Sequence, residues 1–210
     1  MINLLKTTFF ILLAINLLAC TSDSMTADGS NNAQNASTTV NTSTPIGKVI
    51  GYRDNVISLE GQDPIRLDHD TSSVIAIVLR PAETYPTRQS ITPEGQMRAE
   101  KLSHTFVLCG IEQIYAEGNA ALQTAQLVAR SNYCNLGVMQ DDGTDLLAKM
   151  LIKNWKGKKL MVIGNATMMT NAIGSLAGPG KHVVPKDEYD HVFIVRARSL
   201  GDADVYHFKY

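Results

Sequence analysis

Six consecutive apolar residues, Val74-Ile75-Ala76-Ile77-Val78-Leu79, constrain this chain more than any other feature. A strand that is apolar at every position has no face to give to water, so it belongs in a sheet covered on both sides. Lys159-Leu160-Met161-Val162-Ile163 has the same character. Between and around these runs the period changes to that of helices. Thr92 is placed to N-cap a helix, with Pro93 at the first helical position and Glu94 in the first turn. Leu102, Phe106 and Cys109 follow at helical spacing, which predicts a helix to about Leu108, stopped by Gly110. Further helices are expected over 123–130, 146–155 and 168–176, and further strands over 111–116, 191–196 and 203–208, the last two around Gly201-Asp202. Ahead of them, 46–67 reads as a hairpin turning at Asp54-Asn55.

Strand and helix in alternation predict an α/β class: a three-layer α/β/α sandwich with a mostly parallel central sheet. Ligands of such sheets sit beyond the carboxyl ends of the strands. The candidate site is therefore spread over residues 80–84, 116–120 and 164–166. The 210-residue chain carries 19 Lys and Arg against 20 Asp and Glu, and 44% of it is hydrophobic. That balance excludes a disordered protein and a strongly basic nucleic-acid binder.

Residues 1–19 form a separate object, with one charge, Lys6, and an apolar run from Phe9 to Ile15. The run is too short to span a bilayer of roughly 30 Å, which takes about 20 apolar residues, and reads as an export signal. Leu17-Leu18-Ala19-Cys20 resembles the lipobox of bacterial lipoproteins. The resemblance implies cleavage before Cys20, acylation of its thiol with palmitate-type chains, and attachment to a membrane. Thr21 and Ser22 are uncharged, which within that family favours the outer membrane, facing the periplasm. Residues 20–45, rich in Ser, Thr and Asn, read as a flexible tether, and 46–210 as the folded domain. Cys109 and Cys134 remain as a candidate disulfide in an oxidising compartment, with two separate thiols as the alternative.

The three candidate loops resemble the histidine phosphatase superfamily, the phosphoglycerate mutase-like group, over residues 74–210. Ile77-Val78-Leu79-Arg80-Pro81-Ala82-Glu83-Thr84 is similar to the family's strand and Arg-His-Gly-Glu-Thr loop, and Ile91-Thr92-Pro93-Glu94-Gly95 to its first helix start. Gln123-Thr124-Ala125 is similar to the Gln-Thr-Ala of its second helix, Met161-Val162-Ile163-Gly164-Asn165-Ala166 to its Val-Val-Gly-His-Ser segment, and 187–195 to the run before its last sheet strands.

The resemblance implies a histidine nucleophile, a second histidine and two arginines around a transferring phosphoryl group. Arg80 keeps the first arginine, but Pro81 stands at the nucleophile, Ala120 at the second arginine and Asn165 at the second histidine. A proline has no side-chain lone pair, and a carboxamide carries no charge near neutral pH. Ala82 adds a methyl group where the family has glycine. The expectation is a pseudophosphatase that binds a periplasmic protein or a phosphate-like anion through Arg80, Glu83, Thr84 and Asn165. The alternative is an active phosphomonoester hydrolase with a rearranged site. Arg80 and Glu83 are also candidates to pair with each other.

No cofactor or metal is expected. Met161, Met168 and Met169 read as core filling, Asp68-His69-Asp70 lies at the wrong end of its strand, and His104 reads as solvent-facing. His182, His191 and His207 read as surface or partly buried residues. A bond between Cys109 and Cys134 would close a loop of about 25 residues, worth roughly 3 kcal/mol.

Overall fold

The computed structural model describes residues 44–210, apart from 69, 140–143, 179, 181–183, 185 and 186. Cys20, the export signal, most of the tether, His69 and His182 lie outside the described residues. The chain forms β1 (Val49–Arg53), β2 (Val56–Leu59), β3 (Gln62–Arg66), β4 (Val74–Leu79), α1 (Pro93–Thr105), β5 (Ile111–Glu117) and α2 (Gly118–Asn132). It continues through β6 (Asn135–Met139), α3 (Thr144–Asn154), β7 (Lys159–Ile163), α4 (Ala166–Ala177), β8 (His191–Ser199) and β9 (Asp202–Lys209).

The six-stranded sheet has the order β6-β5-β7-β4-β8-β9. Strands β4 to β7 are parallel, whereas β8 runs antiparallel to β4 and β9 to β8. All six side chains of β4 are fully buried, and they divide by parity. Ile75, Ile77 and Leu79 pack with Leu102 and Phe106 at α1 and Ala121, Ala125 and Val128 of α2. Val74, Ala76 and Val78 pack with Leu147 and Leu151 of α3 and Met169, Ile173 and Leu176 of α4. The fold is thus the expected three-layer sandwich. Met161 falls in the first core and Met168 and Met169 in the second, so the sheet itself separates them.

The segment before β4 is a three-stranded antiparallel meander rather than a two-stranded hairpin. Its first turn uses Asp54 and Asn55 in the left-handed region, at φ 50° and 62°, the geometry that matches strand twist in tight hairpins. Tyr52 meets Phe106 edge-on, with ring centroids 6.3 Å apart. Ahead of β1, the Ile46 N–H donates to the His207 carbonyl at 2.7 Å, which fastens this layer to β9.

Helix α1 starts as its sequence dictates, the Thr92 hydroxyl accepting from the Gly95 N–H at 3.0 Å. It ends at Thr105, earlier than expected, because Leu108 (φ 50°) and Gly110 (φ 84°) turn the chain toward β5. Gly95 is the point at which α1 meets the loop after β4: a Cβ there would collide with the Glu83 carbonyl oxygen, which already accepts from the Thr92 N–H at 2.8 Å. Gly95→Ala is expected to cost about 1–3 kcal/mol in chemical denaturation, as overpacking does. Gly174→Ala in α4, where a Cβ meets nothing within 4 Å, should be neutral or stabilising.

Candidate functional site

The loops after β4, β5 and β7 open at the same sheet edge and line one cleft of about 490 Å³. Pro81, Thr84, Ala120 and Asn165 are in its wall, together with the loop at 85–89 and Glu117. The three candidate segments therefore do converge. What they bring together is another matter.

Pro81 offers neither a nucleophile nor an N–H. The next amide, that of Ala82, is buried and already donates to the Thr124 hydroxyl at 3.0 Å, and that hydroxyl in turn donates to the Ala120 carbonyl at 2.9 Å. Gln123 next to it accepts from the Ile91 N–H at 3.0 Å. The Gln-Thr-Ala motif thus acts as a fastener between α2 and the loop after β4. An amide spent on Thr124 is lost to any anion in the cleft.

Arg80 is absent from the cleft wall. Its guanidinium stacks 4.3 Å from the centre of the Tyr189 ring, and Nη1 donates to the Glu188 carbonyl at 3.1 Å. The expected pairing of Arg80 with Glu83 is replaced by Glu83 with Arg98, joined at 2.5 Å, because α1 presents Arg98 directly to the loop. Burial pushes the Glu83 carboxyl upward, but the Arg98 hydrogen bond and charge, aided by Arg80, outweigh it and leave Glu83 below its usual range. Glu83 is accordingly a structural ion pair; it does not line the cleft.

Asn165 N-caps α4, its Oδ1 accepting from the Met168 N–H at 2.9 Å. Its own N–H donates at 3.0 Å to the Glu117 carboxylate, which reaches across from the end of β5. Sequence reasoning passed over Glu117 although it lies inside the expected loop. The positive end of a helix is a natural anion site; here a side chain of the protein occupies it. A phosphate oxyanion within about 4 Å of that carboxylate would meet a repulsion of about 4 kcal/mol at near-surface dielectric. Arg88 was also missed; it lines the cleft from the loop after β4, 6.0 Å from the Tyr85 ring centre.

His191 and His207, on the paired strands β8 and β9, are fully buried rather than at the surface or partly buried. His191 Nδ1 lies 2.6 Å from His207 Nε2, and His191 Nε2 lies 2.7 Å from Glu188 Oε2. His207 stacks on Phe193 with centroids 4.2 Å apart. Glu188, Asp190 and His191 place potential metal-ligand atoms within 4.8 Å of one another. The Lys209 ammonium already sits among them, 2.6 Å from Glu188 and 3.5 Å from Asp190. His104 is exposed on α1, as expected. Cys109 and Cys134 are free thiols, the first buried and pushed up to about 12 by that burial.

No protein-family model matches the chain, and no curated protein does. Solved structures do. A phosphoserine phosphatase from Entamoeba histolytica, in complex with 3-phosphoglyceric acid, is 14% identical with a TM-score of 0.51, covering 65% of this chain and 97% of its own. A mycobacterial glucosyl-3-phosphoglycerate phosphatase with inorganic phosphate is 9% identical (TM-score 0.47, 65% and 97% covered). A phosphoglycerate mutase from Plasmodium falciparum is 12% identical (TM-score 0.44, 66% and 90% covered). The first of these shows a likeness of fold, the α/β/α arrangement that the resemblance of the three loops implied.

One prediction concerns the cluster of Glu188, His191 and Lys209. Hydrogen bonds from His191 and Lys209 hold the Glu188 carboxyl down at about 2. A depressed carboxyl stabilises the fold above its ordinary range, and that contribution disappears as pH falls toward 2. Melting temperature should therefore drop more steeply between about pH 5 and pH 2 in the wild type than in Glu188→Gln. Identical slopes would show that the cluster contributes nothing.

Proposed function

We propose that this chain is a lipid-anchored envelope protein whose phosphatase-fold domain has no phosphatase chemistry and works by binding. The observation that carries the reading is Pro81 in the cleft wall at the nucleophile's position, followed by an Ala82 amide spent on Thr124. Loss of one oxyanion donor alone costs about 100- to 1,000-fold in rate. In this site the nucleophile, the second histidine and the second arginine are all missing, and Arg80 is committed to Tyr189. The partner is a protein or an anionic ligand. Arg88 on the wall favours an anion, and the Glu117 carboxylate opposes one.

The full chain in detergent should not hydrolyse p-nitrophenyl phosphate above the buffer rate. Turnover that disappears on Arg80→Ala would overturn the reading in favour of a rearranged hydrolase.

The anchoring half of the proposal rests on Leu17-Leu18-Ala19-Cys20 and places the domain at the outer membrane, facing the periplasm. Cys20→Ala is expected to abolish incorporation of a palmitate analogue and to shift the protein out of the outer-membrane fraction. Unchanged labelling would remove the anchor.

A further inference from the structure

We propose that the amino edge of the large sheet, opposite the cleft, docks on an anionic lipid surface, so that the domain lies against the bilayer with its cleft turned away. The proposal rests on the reading that Cys20 anchors the chain. The anchor supplies the surface and this edge supplies the orientation.

Three turns enter the parallel strands side by side at that edge: 106–110 before β5, 133–134 before β6 and 155–158 before β7. They are fixed to one another, since the Cys109 N–H donates to Asn132 Oδ1 at 3.1 Å and the Lys159 ammonium donates to the Cys109 carbonyl at 2.9 Å. Leu108 and Tyr133 stand on the first two turns, 56% and 91% exposed. Both have left-handed backbone, at φ 50° and 53°, where glycine would be less strained. The fold gains almost no burial from either side chain. A tyrosine beside an aliphatic residue suits the boundary between water and hydrocarbon, where one end of the ring is wet and the rest is not.

The charge around them is positive. Arg130 in the last turn of α2, Lys153 in the last turn of α3 and Lys156 in the turn before β7 are exposed, and they form no ion pair among the described residues. The carboxylates nearest to them are matched by other cations, Glu112 by Lys158 at 2.5 Å and Asp54 by Lys159. Farther along the edge, Asp70 accepts from the Ser72 and Ser73 amides, both at 2.9 Å, and Asp202 and Asp204 are held by Arg196 and Arg198. Each Lys or Arg close to an anionic bilayer tightens binding about fivefold. The tether of residues 20–45 reaches at most about 90 Å when extended, enough to let the domain turn this edge to the membrane.

The test reconstitutes the acylated full chain in vesicles of phosphatidylethanolamine with about 30% phosphatidylglycerol, whose acyl chains carry bromine, a short-range quencher of indole fluorescence. Trp155 is the only tryptophan, so Trp155→Phe gives a dark background. With Tyr133→Trp added, the indole should lose about half its emission to the brominated lipid. With Tyr85→Trp added instead, in the cleft wall and roughly 20 Å away along the strands, it should lose none. Combined exchange of Arg130→Glu, Lys153→Glu and Lys156→Glu should restore the emission at position 133, as should phosphatidylcholine in place of phosphatidylglycerol. Equal quenching at positions 133 and 85, or quenching that the charge exchange leaves unchanged, overturns the proposal. So does a chain that floats with the vesicles but is unquenched at position 133, which would leave this edge to a protein partner. A chain that does not float with them at all removes the anchor reading and the orientation together, so the two failures are distinguishable.

Discussion

Burial of β4 on both faces is the constraint on which the rest of the structure depends. Five of its six side chains are Val, Ile or Leu, each contributing about 1.5–3 kcal/mol on full burial, and all six are at 0% exposure. The parity split of those side chains dictates that α1 and α2 lie on one side and α3 and α4 on the other. Because β4 is central, between β7 and β8, its end fixes where residues 80–84 emerge. Site chemistry in this fold hangs on loops beyond that strand, so it can be replaced residue by residue while both cores stay intact.

That separation governs how much was legible in the sequence. Strands buried on both faces announce themselves, and β4, β7 and the capped start of α1 were readable almost to the residue. The missed strands are edge strands. β3, Gln-Asp-Pro-Ile-Arg, is largely exposed and holds a proline, which only an edge tolerates. β6, Asn-Leu-Gly-Val-Met, has no buried residue and lies at the far edge of the large sheet. α2 begins at Gly118, ahead of the expected start, because Asn119-Ala120-Ala121 carry little periodic signal.

The candidate site was legible as a location, since the three loops that line the cleft follow from the order of strands and helices. The partners that now fill it were not. Nothing in the spacing of Arg80 and Tyr189, or of Glu83 and Arg98, reveals which cation takes which partner. The burial of His191 and His207 likewise depends on the register of β8 with β9, which pairs Phe193 with His207. Glu117 shows the limit most plainly, because its role comes from the packing of β5 beside β7, not from its own neighbours in sequence.

The resemblance to the phosphatase pattern divides along the same line. The segments that match it closely, Thr92-Pro93-Glu94-Gly95 and Gln123-Thr124-Ala125, make bonds within the protein: a helix cap, a close approach to Glu83, and two side chains that hold the loop after β4. The positions that depart from it, Pro81, Ala120 and Asn165, line the cleft. Asn165 is instructive because it lines the cleft and its carboxamide also caps α4. Removing a ligand-binding group from a solvent-filled cleft leaves no cavity and no orphaned buried atom, so it costs the fold little. Removing Thr124 would strand the buried Ala82 amide, at about 1–3 kcal/mol. The matching motifs therefore report how this fold is held together, and the function must be read from the residues that line the cleft.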